Sequence, residues 1–212
     1  MAERIAFIAG AGGAVGRTIV RLAAEQGDRV IPHFRRAPDA TPPGAVVFPL
    51  DEHARLVEAL RGASTVVQCI GTIRKRFAQG DTYESSDIRT TEQLVAAARE
   101  AGSVDHVILL SSVGAGRPVG AYLRAKARAE AIVVGAGLPY TIFRPSAFDG
   151  EGHRAPPGSM LLSRLPGLGS FRPIAVEALA RGMLRVARQR APLDVVLEGA
   201  TLFAVVDAVA TR

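Results

Sequence analysis

Apolar residues along this 212-residue chain fall into short continuous runs, separated by longer stretches in which they recur every three or four positions. A run of four to six apolar residues marks a strand buried on both faces, whereas a 3.6-residue stripe marks a helix lying against it. Strands are therefore predicted over residues 4–9, 29–34, 45–48, 65–70, 104–111, 140–144 and 193–197. Helices are predicted over 14–26, 53–60, 85–101, 122–134 and 176–189, the first with its stripe on Val15, Ile19, Leu22 and Ala23. Buried strands alternating with amphipathic helices imply an α/β fold, a doubly wound and mostly parallel sheet flanked by helices, with ligand expected at the carboxyl ends of the strands. Residues 145–173 interrupt the pattern: they are rich in Gly and Pro, with one short apolar turn around 160–165, and read as a substrate-side insert or a mobile connector. The length suits one domain over 1–212. The apolar segment 202–209 either closes the sheet or meets a partner.

Between the first strand and the first helix stands Gly10-Ala11-Gly12-Gly13-Ala14-Val15-Gly16. Glycines at 10, 13 and 16 place small residues at a tight turn, beneath a ligand and at a helix–strand crossing, while the first amides of the helix point outward at an anion. A glycine-rich turn that binds nothing has the same composition, so the weight falls on context: this one follows a strand and opens a helix. Gly10, Gly12, Gly13, Ala14, Val15 and Gly16 are the candidate pyrophosphate contacts of a Rossmann dinucleotide site.

The second strand runs Val30-Ile31-Pro32-His33-Phe34 into Arg35-Arg36, with no carboxylate before Asp39. A carboxylate there would accept from an adenosine ribose 2′-hydroxyl; guanidinium groups pair with a 2′-phosphate. Arg35 and Arg36, with Arg17 nearby, favour NADP(H) over NAD(H), against the plainer reading of a solvated corner. Asp51, after the third strand, is either an adenine-edge acceptor or a helix N-cap.

The strand Val107-Ile108-Leu109-Leu110 ends in Ser111-Ser112, and ten residues on comes Tyr122-Leu123-Arg124-Ala125-Lys126. Residues four apart share a helical face. An ammonium beside a phenol favours the phenolate and can make tyrosine a working acid/base, with Ser112 holding a substrate carbonyl and Lys126 also reaching the nicotinamide ribose. Of 26 basic residues only Lys75 and Lys126 are lysines. Where only a positive charge is needed, this chain writes arginine, so a lysine at 126 points to a compact, tunable ammonium. The bland alternative leaves Tyr122 capping a core and Lys126 solvated.

Charge and cysteine content narrow the partners. A net charge of +6 invites a nucleic-acid reading, but the arginines are scattered, aromatics are 5%, and zinc-finger spacing is missing, so no nucleic acid is expected. Arg74-Lys75-Arg76 reads equally as a substrate-anion contact or a wet loop. His33, His53, His106 and His153 are dispersed and suggest no metal; Cys69, alone, forms no internal disulfide. No run is long enough for a membrane span, and the acid-bearing start does not read as a leader, so a cytoplasmic protein is expected.

Together the Gly10–Gly16 loop, Arg35, Asp51, Cys69-Ile70-Gly71-Thr72, Leu110-Ser111-Ser112, Tyr122-xxx-Lys126 and Phe143-Arg144-Pro145 resemble the short-chain dehydrogenase/reductase superfamily, and within it the atypical NmrA-like and Tat-interacting-protein-like NADP-binding oxidoreductases. The resemblance extends to about residue 188. It implies that Gly10, Gly13 and Gly16 bind pyrophosphate, that Arg35 binds the 2′-phosphate, that Tyr122 is the acid/base with Lys126 as modulator, and that Ser112 rather than Ser111 polarises the substrate. It also implies that Ile70, Gly71, Arg144 and Pro145 lie beside the cofactor. The usual Asn-Ala-Gly after the fourth strand is Cys69-Ile70-Gly71 here, so the asparagine that steadies the sheet is missing.

The function expected is an NADP(H)-dependent oxidoreductase acting on a small carbonyl or alcohol, as a monomer or homodimer. A non-catalytic NADP(H) redox sensor with a protein partner is the alternative. A nucleotide-sugar epimerase or dehydratase shares the Tyr-Lys spacing but carries a larger substrate lobe than this chain has.

Overall fold

The structure is a computed structural model that describes residues 4–71, 80, 82–150 and 172–208. Seven parallel strands form the sheet. In chain order the elements are β1 (Ala6–Ala9), α1 (Ala14–Gln26), β2 (Val30–Phe34), β3 (Val46–Val47), α2 (His53–Arg61), β4 (Thr65–Gln68), a π-helical turn (Glu84–Arg89) running into α3 (Thr90–Ala101), β5 (His106–Leu110) and α4 (Gly120–Val134). They continue as β6 (Tyr140–Arg144), β7 (Phe148–Asp149), β8 (Ile174–Ala175), α5 (Val176–Gln189), β9 (Val195–Glu198) and α6 (Ala200–Asp207). The sheet order is β3-β2-β1-β4-β5-β6-β9, and β7 pairs with β8 in a separate two-stranded ribbon. The doubly wound parallel sheet expected from the apolar runs is the observed architecture.

Alternation along each strand sorts the core into two layers. Ile8, Ile108, Leu110 and Phe143 face one side, where they pack with Ile19 and Leu22 of α1 and with Leu179 and Met183 of α5. Phe7, Val107, Leu109 and Ile142 face the other, against Leu56 and Leu60 of α2, Leu94 and Ala98 of α3 and Val133 of α4. Both faces are buried, so the strands read as continuous apolar runs rather than alternating ones.

Strand ends account for most of the departures from the expected boundaries, β1 opening at 6 rather than 4, β4 closing at 68 rather than 70 and β5 spanning 106–110 rather than 104–111, whereas α1 and α5 keep theirs. α1 stops where Gly27 takes the left-handed conformation (φ 71°) and its amide caps the carbonyls of Ala23 and Ala24. The segment expected as one α-helix from 85 opens instead with the π-turn, a wider winding that turns Asp87 inward. The apolar C-terminal run is a helix, α6, which lays Leu202 and Val206 on α5; a side chain at Gly182 would lie 2.8 Å from Val206 Cγ1. It thus extends the core of one face rather than adding a strand. The β7–β8 ribbon, a pairing of two-residue strands, has no counterpart in the hydrophobic pattern.

Many exterior arginines face carboxylates. Arg21 pairs with Glu25 and Glu177, Arg181 with Glu177, and Arg188 with Asp28, lacing α1 to α5. Exposed pairs of this kind contribute little each. The Arg74-Lys75-Arg76 cluster, Thr72, His153 and most of the 145–173 insert lie outside the described residues.

Candidate functional site

The chain leaves β1 toward β2 and later leaves β4 toward β5, so the loops after β1 and β4 diverge and open a crevice between neighbouring strand ends. Into it runs the glycine loop. Gly10 holds φ +89°, and a side chain there would stand 3.0 Å from the backbone N of Ile70. The Gly13 amide donates to the Gly10 carbonyl at 3.0 Å, and α1 begins at once with no side-chain cap. A Cβ on Gly16 would come within 2.2 Å of the Gly10 oxygen, so loop and helix touch backbone to backbone. Gly12 and Gly13 are different: an added Cβ meets nothing nearer than 3.7 Å and 3.4 Å. Gly10 and Gly16 are thus demanded by the fold itself, whereas bare backbone at Gly12 and Gly13 is turned to the crevice. The Val15 side chain is buried in the core, so its backbone amide is the part that can serve an anion.

The crevice is a cleft of about 680 Å³, within the range of small-molecule sites, lined by the glycine loop, by Phe34, Arg35 and Arg36 after β2, by Leu50 and Asp51, by Cys69, Ile70 and Gly71 after β4, and by Ser86, Arg89 and Gln93 across from them. Arg35 and Arg36 are exposed at its rim, and so is Asp51. Asp51 is not the cap of α2; that position belongs to Glu52. His33, buried beside them, donates from Nε2 to the Phe48 carbonyl at 2.7 Å. Burial holds its pKa below the usual histidine value, against the pull of that hydrogen bond, so it adds no charge to the arginine end at neutral pH. The cleft suits a dinucleotide: a cradle without side chains at 12 and 13, helix amides behind it, and guanidinium groups at one rim.

Loop 69–71 is braced by a residue that motif reading passed over. Gln68 Nε2 donates to the hydroxyls of Thr90 and Thr91 at 3.2 Å each, and its Oε1 accepts from the Ile70 amide. A side-chain amide one residue earlier thus ties strand end to helix where the family's asparagine is absent. Cys69 is held as a thiol: burial pushes its pKa up to about 12, with the Lys126 charge opposing.

At the end of β5 the two serines separate. Ser111 is buried and donates to Glu130 Oε1 at 2.5 Å; Ser112 is half-buried, its hydroxyl engaged, among the described residues, with the adjacent Val113 carbonyl at 3.3 Å. α4 then presents Tyr122 and Lys126 on one face, with Lys126 Nζ 6.0 Å from the centre of the Tyr122 ring and the Tyr83 ring 5.6 Å beyond. Lys126 is buried, not solvated. Its ammonium donates to the Leu110 carbonyl at 3.2 Å and pairs with Asp87 Oδ1 at 2.8 Å, the two side chains being 7% and 1% exposed. A Cβ on Gly71 would stand 3.1 Å from Lys126 Nζ, so the cleft wall rests on this ion pair. Ser112, Tyr122 and Lys126 are not themselves in the described lining; Lys126 meets it at Gly71.

Arg144 requires a correction. Its guanidinium is turned to Glu130, through two hydrogen bonds of 2.9 Å and 2.5 Å, and to Glu198 at 3.0 Å. The hydrogen bonds it donates to Glu130, against some desolvation, raise its already high pKa further. The fork is spent on locking α4 to β6 and β9, not on a cofactor. Pro145, which is buried, offers its carbonyl to the Val113 amide at 2.9 Å.

Asp87, Gln68, Glu130 and Glu198 were the residues missed. A signal for Asp87 existed: it shares a helical stripe with Thr91, Leu94 and Ala98, which places a carboxylate on the buried face, and a buried acid needs a cation.

The model of an NAD(P)H-binding family matches residues 10–189. The chain is 33% identical over 177 residues to the chloroplast protein TIC 62 of Oryza sativa subsp. japonica, covering 68% of this chain and 35% of that protein. It is 30% identical over 200 residues to subunit 9 of the mitochondrial NADH dehydrogenase (ubiquinone) 1 alpha subcomplex of Arabidopsis thaliana, covering 85% of this chain and 49% of that one. It therefore spans about a third to a half of the length of these relatives. Among solved structures, a protein of Bacillus halodurans provisionally described as an NAD-dependent epimerase/dehydratase superposes with TM-score 0.73 at 22% identity, over 98% of this chain and 100% of that one. MoeE5 in complex with UDP-glucose and NAD superposes with TM-score 0.71 at 20% identity, over 98% and 82%. These two show a shared fold alone. With the glycine loop, the seven-stranded sheet and a family match over most of its length, this chain belongs to the NAD(P)H-binding family of atypical short-chain dehydrogenase/reductases.

Proposed function

We propose that the protein is an NADP(H)-dependent oxidoreductase that acts on a small carbonyl or alcohol, with Tyr122 as its acid/base. The observation that carries this reading is the approach of Lys126 to the Tyr122 ring, 6.0 Å from its centre, on a helix face that reaches the cleft through Gly71. Gly12, Gly13 and the amides of Ala14 and Val15 would hold the pyrophosphate, and Arg35 with Arg36 the 2′-phosphate. Bound NADPH would supply the hydride received by the carbonyl carbon, leaving NADP⁺. Tyr122 Oη gives the proton that the carbonyl oxygen takes up, and solvent returns one to it, so that the alcohol forms. Ser112, with its hydroxyl lightly engaged, is the donor that orients that oxygen. Purified protein should oxidise NADPH with at least one member of a panel of small aldehydes and ketones, and Tyr122→Phe should lower kcat about a hundredfold or more while NADPH binding is unchanged. A variant as active as wild type removes Tyr122 from the chemistry.

A second reading is supported by a relative named as a subunit of a larger assembly. In it the protein is an NADP(H) sensor whose cofactor occupancy governs attachment to another protein. Capture of a partner that depends on NADPH, with no turnover across the panel, would favour this reading. A partner bound equally with and without cofactor would exclude it.

A further inference from the structure

We propose that Asp87 is a positioning residue that tempers the acidity of Tyr122 by partly neutralising Lys126, so that the phenol is a weaker acid than a bare ammonium would make it. This rests on the oxidoreductase reading above and concerns how strong an acid Tyr122 is. A lone ammonium beside tyrosine favours the phenolate, the form that takes a proton from an alcohol. Here the ammonium is not alone. Asp87 Oδ1 lies 2.8 Å from Lys126 Nζ, and both side chains are more than nine-tenths buried, so water screens the pair poorly and its charges cancel at close range. At Tyr122, 6.0 Å from Nζ to the ring centre, a compensated pair projects a weaker field than a bare cation.

The fold holds the carboxylate in place. Thr91 Oγ1 donates to the Asp87 carbonyl at 2.6 Å, Thr90 Oγ1 to the Ser86 carbonyl at 2.5 Å, and Gln68 reaches both threonines from β4. The π-turn therefore cannot rotate Asp87 outward without breaking a bracing that starts in the sheet. The ammonium donates to the Leu110 carbonyl and lies in ion-pair contact with Asp87, which holds its position under the α4 face.

Among the described residues, other ionisable groups nearby do not supply the missing charge. Cys69, from the end of β4, is held as a neutral thiol; Tyr83, from the residue before the π-turn, presents its ring; and Glu130, one turn along α4, is matched by Arg144 from β6.

The test is an ultraviolet titration of phenolate absorbance on the full chain, with the Tyr122→Phe trace subtracted to isolate Tyr122. Asp87→Asn should move the Tyr122 midpoint down by about one pH unit or more, as expected when a compensated cation becomes a bare one, and Asp87→Glu should restore it. The double variant Asp87→Asn/Lys126→Met, which removes both charges, should titrate with wild type. A folded Asp87→Asn protein with an unmoved midpoint overturns the inference. Should that variant fail to fold, the double variant decides: a midpoint about one unit above wild type means that the ammonium reaches the phenol despite Asp87, which also overturns it. The titration needs neither substrate nor cofactor. A panel without turnover leaves its result standing, and an unmoved midpoint leaves the dinucleotide reading intact.

Discussion

Acid should destabilise this protein through one residue far from the cleft, His106, the first residue of β5 and fully buried. Its Nε2 lies 2.9 Å from Thr141 Oγ1, and that hydroxyl donates its own hydrogen to the Pro192 carbonyl at 2.5 Å. The hydroxyl must therefore accept from His106, which fixes the neutral Nε2–H tautomer and leaves Nδ1 a bare acceptor without a partner among the described residues. Protonation would bury an unpaired N–H and a charge. Burial first, and then the Arg4 guanidinium, lower the His106 pKa from 6.5 to about 4, while Asp105 opposes them. The unfolded chain takes up this proton before the folded one does, so the stability contributed by neutral His106 is complete above pH 6.5 and is lost as pH falls toward 4. At roughly 1.4 kcal/mol per pH unit, the loss between pH 7 and pH 4.5 is about 2.5 kcal/mol. Urea unfolding of wild type and His106→Gln at both pH values checks this. The variant starts weaker at pH 7, having lost its fit to Thr141, but should lose about 2.5 kcal/mol less than wild type on acidification. Parallel losses in the two proteins would refute the assignment.

Gly16→Ala should abolish dinucleotide binding and lower the melting temperature, because its Cβ meets the Gly10 oxygen at 2.2 Å and neither backbone can retreat; NADPH fluorescence titration and a thermal melt read the two effects. Glu130→Ala removes the carboxylate that accepts two Arg144 hydrogen bonds and the Ser111 hydroxyl, leaving Glu198 as the guanidinium's remaining partner, and should cost about 2 kcal/mol in urea unfolding. Arg35→Ser/Arg36→Ser should weaken NADPH binding by about 2 kcal/mol or more with little change for NADH, as loss of charge-assisted bonds to a single phosphate requires; equal loss for both nucleotides would place the 2′-phosphate elsewhere.

The strand and helix order, the glycine turn and the shared face of Tyr122 and Lys126 were legible from residues alone, because each depends on spacing within one short segment. α1, β6 and α5 carry the expected bounds for the same reason: a buried stripe and local end signals settle where a helix or strand stops. The partners of the charged groups were not legible. Arg144 sits where a cofactor contact was expected, yet Glu130 and Glu198, 14 and 54 residues away in sequence, claim its guanidinium. Lys126 looked like a free ammonium until the π-turn brought Asp87 beneath it, 39 residues upstream and braced from β4 by Gln68. Hydrophobic periodicity sets which face of an element is buried, so the layers and the carboxyl edge where ligand is expected follow from local spacing. Which acid meets which base inside those layers depends on the packing of elements distant along the chain and on the cost of burying a charge alone, and it becomes visible once those elements are assembled.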